Sequence, residues 1–329
     1  MQSNVQITVK GLENDFGNEI AHALDDLIKA LADHLDFRRM RRIIVTTDFD
    51  GELKELSTQT ASGNAITHTN EEYAVAVAKV MLLPLGEEYE IVPVINANIV
   101  SVLVAQNSED FDEDRCKDVI HYLHHEFCHV HDDNKKIDAL REVMLNHRYV
   151  GKEIFIRPLA EICWSEYLAN RLSSASATKT ALSDMTTSFK EALIRTKPVI
   201  DKEIVSYRYH HDLNRLMDIF QRHGEFLVKS AAYVLGYLDG LGEPLSKLSA
   251  ECDEKLNGSY FQHTWEAIHQ ALQEMHKIYP QGWKSLEVYD RLAEALEHYY
   301  AEMGLVLSTT NDGGAYVNVP FRSETTPPT

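Results

Sequence analysis

The rhythm of apolar and polar positions changes along this chain, and the changes predict its elements. Val5–Val9 alternates and predicts a short strand. Ile20, Ala23, Leu24, Leu27, Ile28, Leu31 and Leu35 recur at helical spacing and predict a helix over 15–35. A second strand is expected over Arg42–Thr47, followed by a turn at Asp48–Gly51 and a polar loop over Thr58–Asn70. Tyr73–Leu85 and Tyr89–Ile95 read as further strands, the latter at a sheet edge because Pro93 cannot donate to a ladder. Ile99–Val104 either opens a helix or continues the sheet.

From Asp114 to Asp133 no Gly or Pro interrupts the chain. Leu123, Phe127 and Val130 form an apolar stripe, and acidic residues from Glu109 to Asp114 crowd the start, where a helix dipole favours them. A short helix over Ile137–His147 is expected next. Another should run over Pro158–Ser174, with Pro in its first turn. Ala175–Thr180 reads as a linker, and Leu182–Gly242 as helices interrupted after Pro198. Leu245–Leu256, Phe261–Tyr279 and Leu286–Met303 continue the helical rhythm. Leu305–Leu307 and Tyr316–Val319 flank Asn311-Asp312-Gly313-Gly314, a hairpin signal, and Phe321–Thr329 reads as a frayed polar tail. The expected fold class is α+β, with a small twisted sheet ahead of a mainly helical C-terminal half. It divides into 1–174, 175–310 and 311–329.

Composition narrows the partners. The chain has 329 residues, 44% hydrophobic and 25% charged, as in an ordinary globular protein. A net charge of −19 argues against general affinity for nucleic acid or anionic membrane. Arg38-Arg39-Met40-Arg41-Arg42 is a local exception, and a short run of this kind is usually a solvated cluster. No stretch reaches the length of a membrane span, and Met1–Lys10 lacks the apolar centre of a signal peptide. Four cysteines without close pairing read as reduced thiols, so a cytoplasmic protein is expected.

The candidate chemistry lies in His121–Asp133, which reads HYLHHEFCHVHDD. His125-Glu126-Phe127-Cys128-His129 is an HExxH sequence. On a helix His125 and His129 share one face and can bridge a divalent metal, with Glu126 in reach of a bound water. Neutral imidazoles suit zinc, and two His plus one carboxylate leave a position open for water. The carboxylate is sought on the helix expected over 158–174, where Glu161 and Glu166 compete. Glu161 would sit in the first turn, where the dipole explains it without a metal. Glu166 would sit mid-helix on the face of Leu159, Ile162, Cys163 and Ala169, where burial demands a partner. Asp132 is a rival on the His face. The plain alternative for each is a salt-bridged or solvated side chain.

HEFCH followed by Glu166-Tyr167-Leu168-Ala169-Asn170-Arg171 resembles the gluzincin type of zinc metallopeptidase. The E-x-x-A-N-R run is similar to the matching helix of the ImmA/IrrE-like group. The resemblance covers about Cys116–Ser174. It implies a zincin-like core, with His125, His129 and Glu166 as zinc ligands and Glu126 as general base. It places Asn170 where some gluzincins carry an Asp that supports a ligand His. The position six after His129 is Lys135, which departs from the metzincin pattern. The implied function is a zinc-dependent hydrolase of peptide or protein substrates. Tyr207, His210, His211 and Tyr167 are candidate oxyanion donors, against the plainer reading of a polar helix face. The competing reading of the whole is a non-catalytic scaffold stapled by metal, which a fourth ligand such as His131 or Cys128 would favour.

Overall fold

A computed structural model describes residues 5–59, 78–86, 88–107 and 111–325. These fall into two compact units, Met1–Lys136 with Ala175–Thr178, and Ile137–Ser174 with Lys179–Thr329.

The first unit opens with β1 (Gln6–Lys10), α1 (Asn14–Leu31), β2 (Arg42–Thr46) and α2 (Phe49–Ser57). It continues with β3 (Ala78–Leu85), β4 (Glu88–Asn96), the single turn α3 (Ala97–Val100) and a 3₁₀ segment to Asn107. The sheet order is β1-β2-β4-β3, parallel except for β3, which pairs antiparallel along β4. Strand alternation sorts the two faces. Ile44, Val92, Val94, Met81 and Leu83 cluster with Phe49, Leu53 and Leu56 of α2. Val9, Val45 and Ile95 are in register and so share the other face. Gly17 of α1 lies against Val9 there, and Ile20, Leu24 and Ile28 bury one stripe of that helix completely. The sheet is thus covered by a helix on each side.

Two expectations change in this unit. Asp48 does not close a turn: its side chain accepts from the Gly51 N–H and caps α2, whose Phe49, Leu53 and Leu56 have helical spacing. Nor is β4 an edge, since it lies between β2 and β3. Pro93 fits because the ladder with β2 starts one residue later, at Val94. The residues from 99 to 104 take the helical alternative. The stretch 60–77, which holds most of the expected polar loop and the start of the third expected strand, lies outside the described residues.

Next comes α4 (Glu113–Asn146), which runs unbroken through the stretch expected to hold two helices. The second unit adds α5 (Glu153–Ser173), α6 (Lys179–His210), α7 (Leu213–Phe220) and, after a π-helical turn over Gln221–Glu225, α8 (Phe226–Leu241). Then follow α9 (Leu245–Leu248), α10 (Ala250–Leu256), α11 (Gln262–Ile278), α12 (Asp290–Glu302) and a hairpin of β5 (Val306–Thr309) and β6 (Ala315–Asn318). The helix α8 is apolar nearly all round, and so it is the buried axis of this unit. Its Gly236 and Gly240 lie against the α5 backbone. A Cβ at Gly236 would come within 2.4 Å of Tyr167 O, and one at Gly240 within 2.5 Å of Arg171 O.

Prolines again mislead. Pro158 is inside α5, which begins five residues earlier, at Glu153, and Pro198 is inside an uninterrupted α6. Each removes one helical N–H donor, and each is flanked by buried neighbours, Ile156 and Leu159 or Thr196 and Ile200, that hold the helix through it. The tail is tied down as far as Thr325. Arg208 donates to Val319 O and Pro320 O at 2.7 Å and covers the Phe321 ring, while Arg322 donates to Glu302 O and Ala301 O. Contacts part the chain at Lys136 rather than at the expected 174, and α5 belongs to the second unit.

Candidate metal centre

The HExxH segment sits in the middle of α4, and neighbours fix that part of the helix from two sides. On one side His131 Nδ1 accepts the Asp36 N–H at 2.9 Å. Asn134 donates to Asp36 O at 2.9 Å, and its Oδ1 accepts the Arg39 N–H at 3.2 Å. Phe127 meets Phe37 edge-on at 5.7 Å. On the other side His121 Nδ1 and His124 Nδ1 lie 3.0 and 2.8 Å from Ser176 Oγ, and Thr178 donates to Asp118. Ser176 has one hydroxyl proton, so one ring accepts from it and the other donates to it. Burial, and then the nearby histidines, push both His121 and His124 down to about 4, so both are neutral at neutral pH.

Between these anchors, helix spacing brings His125 and His129 together. Their rings stand at 87° and their Nε2 atoms converge to 3.1 Å. Two imidazole nitrogens this close repel unless a proton or a cation lies between them. Nitrogens on one tetrahedral zinc would sit about 3.3 Å apart, given zinc–nitrogen bonds of about 2.0–2.1 Å.

Glu166 comes from the middle of α5 and is 13% exposed. Its Oε1 lies 3.3 Å from Lys229 Nζ, and the Tyr233 hydroxyl hydrogen-bonds both. Lys229 and Tyr233 are four residues apart on α8, on the stripe that carries Gly236 and Gly240. Burial disfavours the Lys229 ammonium, yet the Glu166 charge and Tyr233 outweigh it and raise its pKa. Burial and Glu166 raise Tyr233, which stays a neutral donor.

One ligand atom each from His125, His129 and Glu166 lies within 4.8 Å of the other two, and this group could hold a metal ion. Among the described residues it has three members. Asp132, buried on α4, pairs with Lys136 at 3.0 Å. Glu161 accepts from the Tyr149 hydroxyl, and with α5 starting at Glu153 it does not lie in the first turn. The face expected around Glu166 is buried at Leu159, Cys163 and Ala169, whereas Ile162 is exposed. Cys128 is fully buried, which raises its thiol pKa. Asn170 donates to Glu166 O at 2.7 Å, so it serves its own helix where the resemblance had it support a histidine.

Two of the four candidate oxyanion donors, Tyr167 and His210, have other partners. Tyr167 donates to Asp239 and accepts from Arg171. His210 Nε2 lies 3.2 Å from Glu203, and its Nδ1 accepts the Asp212 N–H. The rings of Tyr207 and His211 stand 6.2 Å apart. Lys229 and Tyr233 are partners that helix period within α5 does not disclose, because they stand on α8. The signal available for them was a lysine within the apolar run FLVKSAAYVLG.

Compared with family models, curated proteins and solved structures, the chain gives no match. No helix among the described residues is long and apolar enough to cross a membrane.

Proposed function

We propose that this chain is a zinc-dependent hydrolase of the gluzincin type, acting on peptide or protein substrates. The observation that carries the reading is the convergence of the His125, His129 and Glu166 ligand atoms. Three protein ligands of this kind are the set of a catalytic zinc site, and a structural site has four. The mixed sheet ahead of the HExxH helix supports a zincin-like core, and the E-x-x-A-N-R run of α5 supports likeness to the ImmA/IrrE group.

Zinc, when bound, supplies a Lewis acid that acidifies water and polarises a carbonyl. His125 and His129 would hold it through a ring nitrogen each, and Glu166 through a carboxylate oxygen. Glu126, half-buried between the two histidines in sequence, accepts the proton of the attacking water and returns it to the leaving amine nitrogen. The anchors on both sides of α4 keep the two imidazoles and Glu126 in place before substrate arrives.

Glu126→Gln tests the reading. The variant should keep one zinc per chain by metal analysis and lose cleavage of a fluorogenic peptide library by at least about a hundredfold, the scale of a lost general base. Undiminished cleavage in the variant, or a wild-type chain that retains no zinc, overturns it.

A further inference from the structure

We propose that Lys229 is a resident cation of the metal centre: its ammonium group neutralises Glu166 in the metal-free chain, and an arriving divalent ion must share that carboxylate with it. This rests on the reading of Glu166 as a metal ligand.

The geometry carries the argument. A buried carboxylate needs an opposite charge or several donors. Glu166 has both in one place, an ammonium 3.3 Å away and the Tyr233 hydroxyl. Both donors stand on one stripe of α8, and the same stripe brings Gly236 and Gly240 onto the α5 backbone. The backbones are in contact, so α8 cannot approach further, and sliding it would drive Cβ atoms into main chain. The spacing of Lys229 and Glu166 is therefore set by the helix pair. What can adjust is the lysine itself, a flexible four-carbon stem carrying a compact charge. Tyr233 holds the carboxylate while the ammonium yields.

A positive charge tethered beside a divalent ion lowers the affinity that three ligands would otherwise give, even where its stem lets it draw back. Lys229 thus sets a threshold: the centre fills only when free metal is high enough to overcome the resident charge. It also keeps the empty centre folded, because Glu166 is never buried without a counter-charge. Lys229 is a positioning and affinity-setting residue. It need not touch substrate.

The test measures zinc affinity by competition with a chromogenic chelator, alongside thermal unfolding of the metal-free proteins. Lys229→Gln removes the charge but keeps a donor, and should tighten zinc by about tenfold or more, since unit charges a few ångströms apart near a protein surface interact by several RT. Lys229→Arg keeps the charge and should stay within about threefold of wild type on the same ground. Metal-free Lys229→Gln should unfold at a lower temperature than wild type, and saturating zinc should close the gap. Lys229→Met keeps the apolar stem, should also tighten zinc, and stands in if the glutamine variant does not fold. Zinc affinity unchanged or weakened in both uncharged variants overturns the proposal and leaves the metalloenzyme reading intact. A wild-type chain that binds no zinc overturns both.

Discussion

Two carboxylates on α5 show how neighbours assign a residue its task. Glu161 and Glu166 are the same residue type five positions apart on one helix, yet one takes a tyrosine hydroxyl and the other groups with two imidazoles and an ammonium group. Glu166→Ala should weaken zinc binding by at least about tenfold, since even the outer partners of metal ligands cost 10–100-fold when removed. Glu161→Ala should leave zinc affinity unchanged and cost about 1 kcal/mol of stability through the orphaned Tyr149 hydroxyl. Chelator competition and urea unfolding on both variants check the pair; loss of zinc at Glu161 alone would show that the wrong carboxylate has been assigned. The approach of His125 to His129 was legible in the sequence because helix period alone sets it. The dipole argument for Glu161 failed because it rested on where the helix starts, and a terminus is the least legible part of an element. Lys229 and Tyr233 could not be read at all, because their meaning depends on a residue of another helix.

At the scale of elements, proline is a weaker boundary than its local chemistry suggests. Pro93 suggests a sheet edge, and Pro158 and Pro198 suggest helix boundaries, yet β4 is an inner strand and both helices run through their prolines. Propensity is a local signal, whereas burial of neighbouring residues is not. Helix contacts reveal a further joint that the sequence hides. Asp239 on α8 accepts from Tyr167 and Arg171 of α5 and from His269 and Gln273 of α11. Burial alone would push its carboxyl up, but hydrogen bonds from His269, Tyr167 and Gln273 outweigh this and hold it down at about 2. The folded value lies below the unfolded one, so its contribution is complete above about pH 4 and is lost as pH falls through 2. Asp239→Ala should cost about 3 kcal/mol near neutral pH, the low end for breaking a buried pair because the site is partly solvated. The gap in urea midpoint between wild type and variant should shrink from pH 5 toward pH 2. A gap independent of pH would mean that packing, and not the carboxylate, makes the joint.

At the scale of the molecule, the α+β class and the helical C-terminal half followed from the rhythm of apolar residues, since that rhythm reports burial. The boundary between compact units did not, because α4 crosses it without any local break. The acidic surplus of −19 is a property of the whole chain and opposes compaction through self-repulsion. Raising ionic strength from about 0.01 M to about 1 M shortens the screening length from about 30 Å to about 3 Å, and should raise the thermal midpoint of the metal-free protein. A lower midpoint in high salt would show that its surface ion pairs outweigh the surplus. The glycine contact between α5 and α8 has a consequence of another kind. It fixes spacings that can be written as text: Lys-x3-Tyr-x2-Gly-x3-Gly from Lys229 to Gly240, and Glu-x3-Asn-x3-Ser from Glu166 to Ser174. Paired downstream of an HExxH, these two short patterns form a search signature for distant kin, able to retrieve chains whose overall letters have drifted beyond alignment.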